Sequence, residues 1–429
     1  MESEIPREDI LKAAPADGPA YKPLSISDTG VRHSVLEDLA LKVLYLSGPF
    51  SVLDLARQTR LSFEVAYQLF ERMRAELSCQ VSRMNGNIPV IAITAAGRTR
   101  ASELLALSQY AGAAPVALKS YVEQVRRQSV RHVEVGPGQV ERAFAHLVID
   151  SRQKRLFGTA LNSGSSIFLY GPPGAGKTTI AATLSRVLAD DEVWIPYALD
   201  VDGQTITVFD PTVHVPVENH AFRSFDERWV LCHRPTIQVG GELTIEMLDL
   251  QFNSISRFYV GPMQLKANNG VLIIDDFGRQ RIRPEELLNR WVVPLDRRID
   301  FLTLAGGMKI EVPFEMLVVF ASNIDPYQLL DAAFLRRIHT KIKVGSVTDE
   351  QFSEIFRRVA IERGMEFNAP LVHKITSFIR DVLKQELRAC YPRDIVNQIC
   401  WAAKYDGKQP VLDSEPAMRA LEAFFLPAN

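Results

Sequence analysis

The chain has 429 residues, a length that predicts two or three domains rather than one hydrophobic core. Hydrophobic residues make up 47% of it and charged residues 23%, the proportions of a soluble globular protein. The 49 Lys and Arg residues against 51 Asp and Glu residues leave a net charge of -2, which excludes a polycation that holds nucleic acid over its whole surface.

The start of the chain, residues 1–30, has little periodic apolar content and predicts a flexible leader. It lacks the basic and apolar regions of a secretory signal. No run of about eighteen apolar residues occurs, so we expect no membrane insertion. The four cysteines are far apart and form no C-x-x-C pair, which is typical of a reducing compartment. We therefore expect a cytoplasmic protein.

Residues 31–105 predict three helices and then a β hairpin. The first helix has apolar residues at helical spacing, namely Leu36, Leu39, Val43 and Leu46. The third has an apolar face made by Ala66, Leu69, Phe70, Met73 and Leu77. The turn Asn85-Gly86-Asn87 predicts the hairpin. This order resembles a winged helix-turn-helix domain.

The rest of the chain divides by its pattern into three parts. Residues 106–135 predict a linker with one short helix. Strands and helices alternate over 136–345, which predicts an α/β domain with a parallel sheet. Residues 346–429 predict a helical lid, which opens with a capping box at Thr348 and Gln351.

A nucleotide-binding motif lies in residues 165–188, where an apolar strand, a Gly-rich turn and a helix follow one another. Glycines in such a turn allow backbone N–H groups to surround phosphates, and the helix directs its positive end at them. Lys177 is expected to reach the β- and γ-phosphates of ATP, and Thr178 to ligate Mg²⁺. The expected nucleotide-binding residues are Gly171, Pro172, Pro173, Gly174, Ala175, Gly176, Lys177, Thr178 and Thr179.

The second half of this site is predicted at the end of the apolar strand 271–274. Asp275 is expected to hold Mg²⁺ through water. Asp276 is the candidate base that orients the attacking water, with one methylene fewer than the glutamate that many ATPases place there. Asp275 and Thr178 are thus the predicted metal residues, and the sequence fits an α/β P-loop NTPase.

Further elements make the chain resemble the AAA+ ATPases, over residues from about 136 to 410. The resemblance implies that Asn323, after another apolar strand, occupies the sensor 1 position beside the attacking water. It implies an arginine finger that acts on a neighbouring subunit, which the alignment places at Arg337 rather than Arg336. Arg393, at the start of a lid helix, resembles the sensor 2 arginine. These roles imply a homo-oligomeric ring, usually a hexamer.

A predicted hairpin around Gly306-Gly307, just before the Asn323 strand, resembles a branch of AAA+ proteins that includes MoxR-like chaperones, magnesium chelatase subunits and σ54 activators. Tyr259-Val260-Gly261 resembles a substrate-gripping pore loop, but a packed core segment is the favoured interpretation. A zinc site is the less favoured interpretation of a group of residues at no known ligand spacing, namely His214, His220, Cys232 and His233.

The sequence therefore predicts an AAA+ ring ATPase that remodels a protein partner. The charges of the third predicted helix sum to -1 over Glu64, Glu71, Arg72, Arg74 and Glu76. This thin basic footprint favours protein binding over DNA binding by the N-terminal domain. The alternatives are a DNA-binding regulator or loader and a slow nucleotide switch.

Overall fold

The computed structural model describes residues 21–218 and 225–425. Its α-helices are α1 (His33–Ser47), α2 (Val52–Thr59), α3 (Phe63–Ala75), α4 (Ala95–Leu107), α5 (Leu118–Arg127), α6 (Pro137–Phe144), α7 (Ser151–Asn162), α8 (Lys177–Val187), α9 (Met263–Lys266), α10 (Pro284–Arg290), α11 (Val292–Arg297), α12 (Pro326–Leu329), α13 (Ala332–Arg337), α14 (Asp349–Glu362), α15 (Ala369–Ser377), α16 (Tyr391–Tyr405) and α17 (Ser414–Phe424). Its strands are β1 (Phe50–Ser51), β2 (Cys79–Asn85), β3 (Ile88–Ile93), β4 (Val116–Ala117), β5 (Ile167–Tyr170), β6 (Glu192–Pro196), β7 (Ala198–Val201), β8 (Gln204–Thr207), β9 (Trp229–His233), β10 (Thr236–Val239), β11 (Gln251–Phe252), β12 (Tyr259–Val260), β13 (Val271–Ile274), β14 (Ile299–Thr303), β15 (Lys309–Pro313), β16 (Leu317–Ser322) and β17 (Thr340–Lys343). Among these residues no helix is both long and apolar enough to span a bilayer.

The N-terminal unit consists of α1 to α4 and a small sheet in the order β1-β3-β2. Ser51 and Ser62 cap α2 and α3 by accepting hydrogen bonds from backbone N–H groups of the first turn. Two residues expected in its core are instead on the surface, since Leu46 is 59% exposed and Leu77 is 73% exposed. Leu77 lies beyond the end of α3 with a φ of 60°, so it does not continue the apolar face of that helix.

The central sheet is entirely parallel and has the strand order β10-β13-β16-β5-β17. Successive side chains of a strand point to opposite faces, so Ile167 and Leu169 pack in one core while Phe168 packs in the other. Helices α6 to α8 contribute to the first core and α10 to α13 to the second. With the Gly-rich turn placed directly after β5, this parallel α/β core fits a P-loop NTPase.

A second sheet, the inserted sheet, has the order β11-β12-β8-β7-β4. Its strands β7, β8, β11 and β12 come from the chain between the P-loop helix α8 and β13, whereas β4 comes from before β5. The turn of its β7–β8 hairpin has positive φ at Asp202 and Gly203. The segment 106–135, expected to be a linker, contributes β4 and α5 to this region, and Tyr121 is only 2% exposed there. It is therefore part of a core and not merely a connection.

A buried ion pair joins the N-terminal unit to the inserted region. The side chains of Arg228 and Asp226 are each 4% exposed, and their charged atoms lie 2.8 Å apart. One guanidinium nitrogen of Arg228, Nη1, also donates to the carbonyl oxygens of Thr29, at 3.1 Å, and Pro115, at 3.0 Å. Three segments that are distant in the sequence therefore meet at one cation.

The chain ends in a helical unit, α14 to α17, which has its own apolar core. Thr348 and Gln351 form the capping box that opens α14. Pro392, in the first turn of α16, fits the position where a missing N–H costs least. The start of α16 lies over the Gly-rich turn after β5, because the Cys390 N–H donates to the Gly174 carbonyl at 3.1 Å.

Candidate nucleotide site

The backbone of the Gly-rich turn can be built only with glycine at its first position. Gly171 has a φ of 152°, and a Cβ there would lie 1.9 Å from the carbonyl oxygen of Val344. Gly174 and Gly176 also have positive φ, at 78° and 92°. Helix α8 begins directly afterwards at Lys177, so its free N–H groups point into the turn. This is the geometry that surrounds a phosphate.

Lys177 lies at the centre of the site and is 7% exposed. Its Nζ donates to the carbonyls of Gly171 and Pro172, both at 2.9 Å, and to Oδ1 of Asn323 at 2.6 Å. Burial lowers the pKa of Lys177, and the nearby Asp276 carboxylate acts in the opposite direction. The ammonium group is thus held by neutral oxygens that phosphate oxygens can replace.

The predicted magnesium residues face each other across the end of the sheet. The Thr178 hydroxyl donates to Oδ1 of Asp275 at 3.1 Å. A hydroxyl and a carboxylate are hard oxygen ligands, so this pair fits Mg²⁺. Gln238, on the neighbouring strand β10, donates to the other carboxylate oxygen of Asp275 at 3.2 Å. No motif marks Gln238 in the sequence, since only the pairing of β10 with β13 brings it there.

Asp276 and Asn323 form the remaining predicted part of the site. Asp276 has a φ of 48°, a left-handed conformation that Asp and Asn adopt more readily than most residues. In this conformation its Oδ1 accepts a hydrogen bond from Nδ2 of Asn323 at 3.0 Å. Asn323 therefore links the ammonium of Lys177 to the carboxylate of Asp276 through one amide group.

These residues line a cleft of about 760 Å³ between the central sheet and the C-terminal helical unit. A cleft of this size fits a nucleotide. Its far end is apolar and includes Leu147, Ile149 and Ile355, a surface suited to a base. Arg393, the predicted sensor 2 residue, lines the same cleft, as does Arg358, which sequence patterns did not indicate.

The helical unit also contacts the Gly-rich turn directly. A Cβ on Gly174 would lie 2.5 Å from Sγ of Cys390 and 3.6 Å from Cδ of Arg388. The positive charge of Arg388 is among the influences that lower the pKa of Lys177, after burial. Arg388 is a third lid arginine near the site, after Arg393 and Arg358, and no motif in the sequence distinguishes it.

The two finger candidates lie away from this cleft. They occupy the last turn of α13 and not the segment after it. Arg337 Nε donates to Oδ2 of Asp296 at 2.8 Å, and its guanidinium lies 5.4 Å from the ring centre of Phe334. Arg336 is exposed and makes no ion pair within the described part of the chain. The structure thus brings neither arginine to the nucleotide cleft of its own chain.

The pore-loop interpretation of Tyr259-Val260-Gly261 is wrong. Tyr259 is 3% exposed, and its hydroxyl accepts a hydrogen bond from the Ala305 N–H at 2.7 Å. Gly261 donates its N–H to the Thr207 carbonyl at 2.9 Å. The segment therefore forms strand β12 of the inserted sheet and packs against the β14–β15 hairpin, as the favoured interpretation of a packed core segment predicted.

The zinc interpretation also finds no support in the described residues. Nδ1 of His214 accepts the Asp210 N–H at 2.9 Å, and Nε2 lies 2.9 Å from the Lys266 carbonyl. Both ring nitrogens are thus occupied by hydrogen bonds. His220 lies outside the described residues. Within 21–218 and 225–425, no three His, Cys, Asp or Glu side chains are grouped as a metal site requires.

Comparisons with known proteins add little to this geometry. Residues 348–423 match a family described as a domain of unknown function, DUF8689. No curated protein matches the sequence. RuvB of Thermotoga maritima, a Holliday junction branch migration motor, is 14% identical, with a TM-score of 0.36 over 68% of this chain and 73% of that one. NtrX of Brucella abortus is 12% identical, with a TM-score of 0.40 over 77% of this chain and 63% of that one. At these scores the fold assignment rests on the strand order and the Gly-rich turn.

Proposed function

We propose that this chain is an ATPase that acts as a ring of identical subunits, usually six, and couples ATP hydrolysis to the remodelling of a protein partner. The observation that carries the ATPase proposal is the chain of hydrogen bonds from Lys177 through Asn323 to Asp276 in the nucleotide cleft. The Thr178–Asp275 pair in the same cleft supplies the metal ligands.

Each side chain has one role in this proposal. Lys177 exchanges its two carbonyl partners for phosphate oxygens, and Asn323 and Asp276 hold the attacking water. Thr178 and Asp275 would hold Mg²⁺, which would supply positive charge to balance the phosphates. Arg393, from the lid helix α16, stabilises the charge that develops on the transferred phosphoryl group.

The ring proposal rests on the position of Arg337. An arginine finger contacts the γ-phosphate, but Arg337 is outside its own chain's cleft and pairs with Asp296. We propose that it completes the cleft of a neighbouring subunit. The β14–β15 hairpin before β16 agrees with the AAA+ branch that the sequence resembles. We propose that the chain has three domains, namely a winged-helix domain at 31–105, an α/β domain at 136–345 and a helical lid at 346–429.

Two observations favour a protein partner over DNA for the N-terminal unit. The first is that two of its arginines are neutralised: Arg72 pairs with Glu37, and Arg100 pairs with both Asp38 and Glu76. Phosphate contacts require free cationic groups, so these arginines contribute little to binding nucleic acid.

The second is that the start of α3, which reads DNA in winged-helix proteins, is covered. Residues 21–26 cross it, where the Ser62 hydroxyl donates to the Pro23 carbonyl and the Gln68 amide donates to the Leu24 carbonyl at 3.2 Å. Ser62 is fully buried. The DNA-binding alternative therefore needs this segment to move away first.

Three experiments test the proposal. Lys177→Ala should abolish ATP turnover, and undiminished activity would overturn the ATPase assignment.

Mixing Arg337→Ala chains with Asp276→Ala chains should restore part of the activity at hybrid interfaces, and no recovery at any ratio contradicts a finger that acts in trans. Arg336→Ala chains serve as the matched control.

Binding of the whole chain to a labelled duplex should be weak and nearly independent of salt, whereas steep salt dependence would favour the DNA alternative. The cytoplasmic location stays a prediction.

A further inference from the structure

A second polar cavity lies at the opposite edge of the central sheet from the nucleotide cleft. It has a volume of about 160 Å³ and is lined by charged and polar residues, among them Arg131, Ser165, Ser166, Asp296, Arg298 and His339. Ser166 directly precedes β5, and His339 directly precedes β17. Because these strands are parallel, the residues before them meet at one edge, while Lys177 and Asn323 follow strands at the other. We call this space the cationic cavity.

The charge of the cationic cavity is not balanced by its own lining. Asp296, a carboxylate in its wall, is already engaged by Arg337 at 2.8 Å. Within the described residues, neither Arg131 nor Arg298 forms an ion pair, and Arg298 donates instead to the Met316 carbonyl at 3.0 Å and to the Gly164 carbonyl. The cavity therefore presents more positive charge than negative charge.

The turn at Gly164 holds both arginines in place. Gly164 has a φ of 54°, and a Cβ there would lie 2.6 Å from Cγ of Arg131, so the Arg131 stem packs directly on the turn. The carbonyl of the same residue accepts a hydrogen bond from Arg298. The stem of Arg131, an exposed residue, and the guanidinium of Arg298 thus meet at the same turn.

The electrostatics of Arg298 agree with a missing counter-charge. Burial lowers the pKa of Arg298; Glu315 acts in the opposite direction, and Arg131 adds to the lowering. The Glu315 carboxylate accepts a hydrogen bond from the Ser129 hydroxyl at 2.6 Å. Holding two like charges together is unfavourable unless an anion lies between them.

From this geometry we infer that the cationic cavity binds a phosphate-sized oxyanion. Arg131 and Arg298 pair with its oxygens. The hydroxyls of Ser165 and Ser166 lie in the same wall, where they donate to the carbonyls of Ser163 and Arg337. A volume of about 160 Å³ is too small for a nucleotide, whose cleft here measures about 760 Å³, so the ligand is a single small anion. The site is separate from the ATP site and stands whether or not Arg337 acts in trans.

The test is calorimetric titration of inorganic phosphate into the whole chain carrying Lys177→Ala, which removes the main phosphate ligand of the ATP site. We expect one phosphate to bind per chain. Arg131→Ala in this background should weaken binding about tenfold, the usual effect of losing one charge-assisted hydrogen bond. Arg131 is the residue to change because, among residues 21–218 and 225–425, its guanidinium makes no hydrogen bond, whereas Arg298 donates to two carbonyls.

Arg155→Ala is the matched control, since Arg155 is an exposed arginine on α7 that does not line the cavity, and it should leave phosphate binding unchanged. Arg131→Lys should keep part of the affinity, because the charge is kept. The inference is overturned if the Lys177→Ala chain binds no phosphate, or if Arg131→Ala binds it as tightly as its parent. Binding of acetate without binding of phosphate also overturns it. None of these readouts depends on ATP hydrolysis, so the result is independent of the proposed function.

Discussion

The sharpest test of the proposed mechanism is the change Asp276→Asn. Asparagine has nearly the same volume and adopts the left-handed conformation found at Asp276, where φ is 48°. Asp276 is exposed, so the change should alter the free energy of unfolding by no more than about 0.5 kcal/mol. Its amide oxygen can still accept the hydrogen bond that Asn323 donates at 3.0 Å. What is lost is the negative charge that draws a proton from water.

Loss of a positioned base typically lowers the rate about 10²- to 10⁴-fold. We therefore expect kcat of Asp276→Asn to fall by at least about 100-fold, which corresponds to about 3 kcal/mol in the barrier. The dissociation constant for ATP should stay within about threefold, because the side chains of Lys177 and Thr178 are unchanged. Steady-state phosphate release measures the first quantity and titration of a fluorescent ATP analogue measures the second.

The matched control is Asp202→Asn, which makes the same change at another aspartate with positive φ, in the β7–β8 turn outside the nucleotide cleft. It should leave kcat unchanged. If Asp276→Asn keeps kcat within about threefold of the unmodified chain, Asp276 is not the base, and the site acts through positioning and charge alone.

Three other predictions concern a buried ion pair, the Gly-rich turn and the pH dependence of stability. Arg228→Ala leaves the buried Asp226 without its partner and should lower the free energy of unfolding by about 3 kcal/mol, read from urea denaturation; a change below about 1 kcal/mol would contradict the role given to this ion pair. Gly174→Ala should weaken ATP binding because a methyl group there collides with Cys390 Sγ. Adding Cys390→Ala should restore only part of the affinity, since the positive φ at position 174 stays unfavourable for alanine. Full restoration would show that the collision alone matters. Burial would raise the pKa of Asp210, but hydrogen bonds from Lys266 and Thr212 outweigh it and lower the pKa to about 2. The ionised Asp210 therefore contributes stability above about pH 4, and this contribution is lost as the pH falls toward 2. Asp210→Asn should flatten the pH dependence of the unfolding temperature in that window, and an unchanged profile would refute this.

Local patterns in the sequence were sufficient to predict the residues of the site that follow directly after a strand. GPPGAGKT predicts the Gly-rich turn because only glycine tolerates the dihedral angles at Gly171, Gly174 and Gly176. Apolar runs before Asp275 and Asn323 predict buried strands, and parallel strands bring their carboxyl ends to one edge. The hydrogen bonds among Lys177, Asn323 and Asp276 therefore join residues that the sequence had already marked.

Other features depended on how the elements pack. Tyr259, two residues before Gly261, has the pattern of a gripping loop, yet the β14–β15 hairpin covers it. No local pattern shows which surface another segment will bury. Gln238 reaches Asp275 only because β10 pairs with β13. Arg388 comes close to the Gly-rich turn only because the helical unit packs over it.

By itself, the sequence determined that the Gly-rich turn, Asp275 and Asn323 lie together, because those residues have backbone conformations and strand positions encoded within a few residues of themselves. Tertiary structure alone decided which arginines surround that site, that the finger candidates point away from it, and that Arg131 and Arg298 share a cavity at the opposite edge. The physical reason is that long cationic side chains are placed by the surfaces against which they pack, and those surfaces come from segments far apart in the chain.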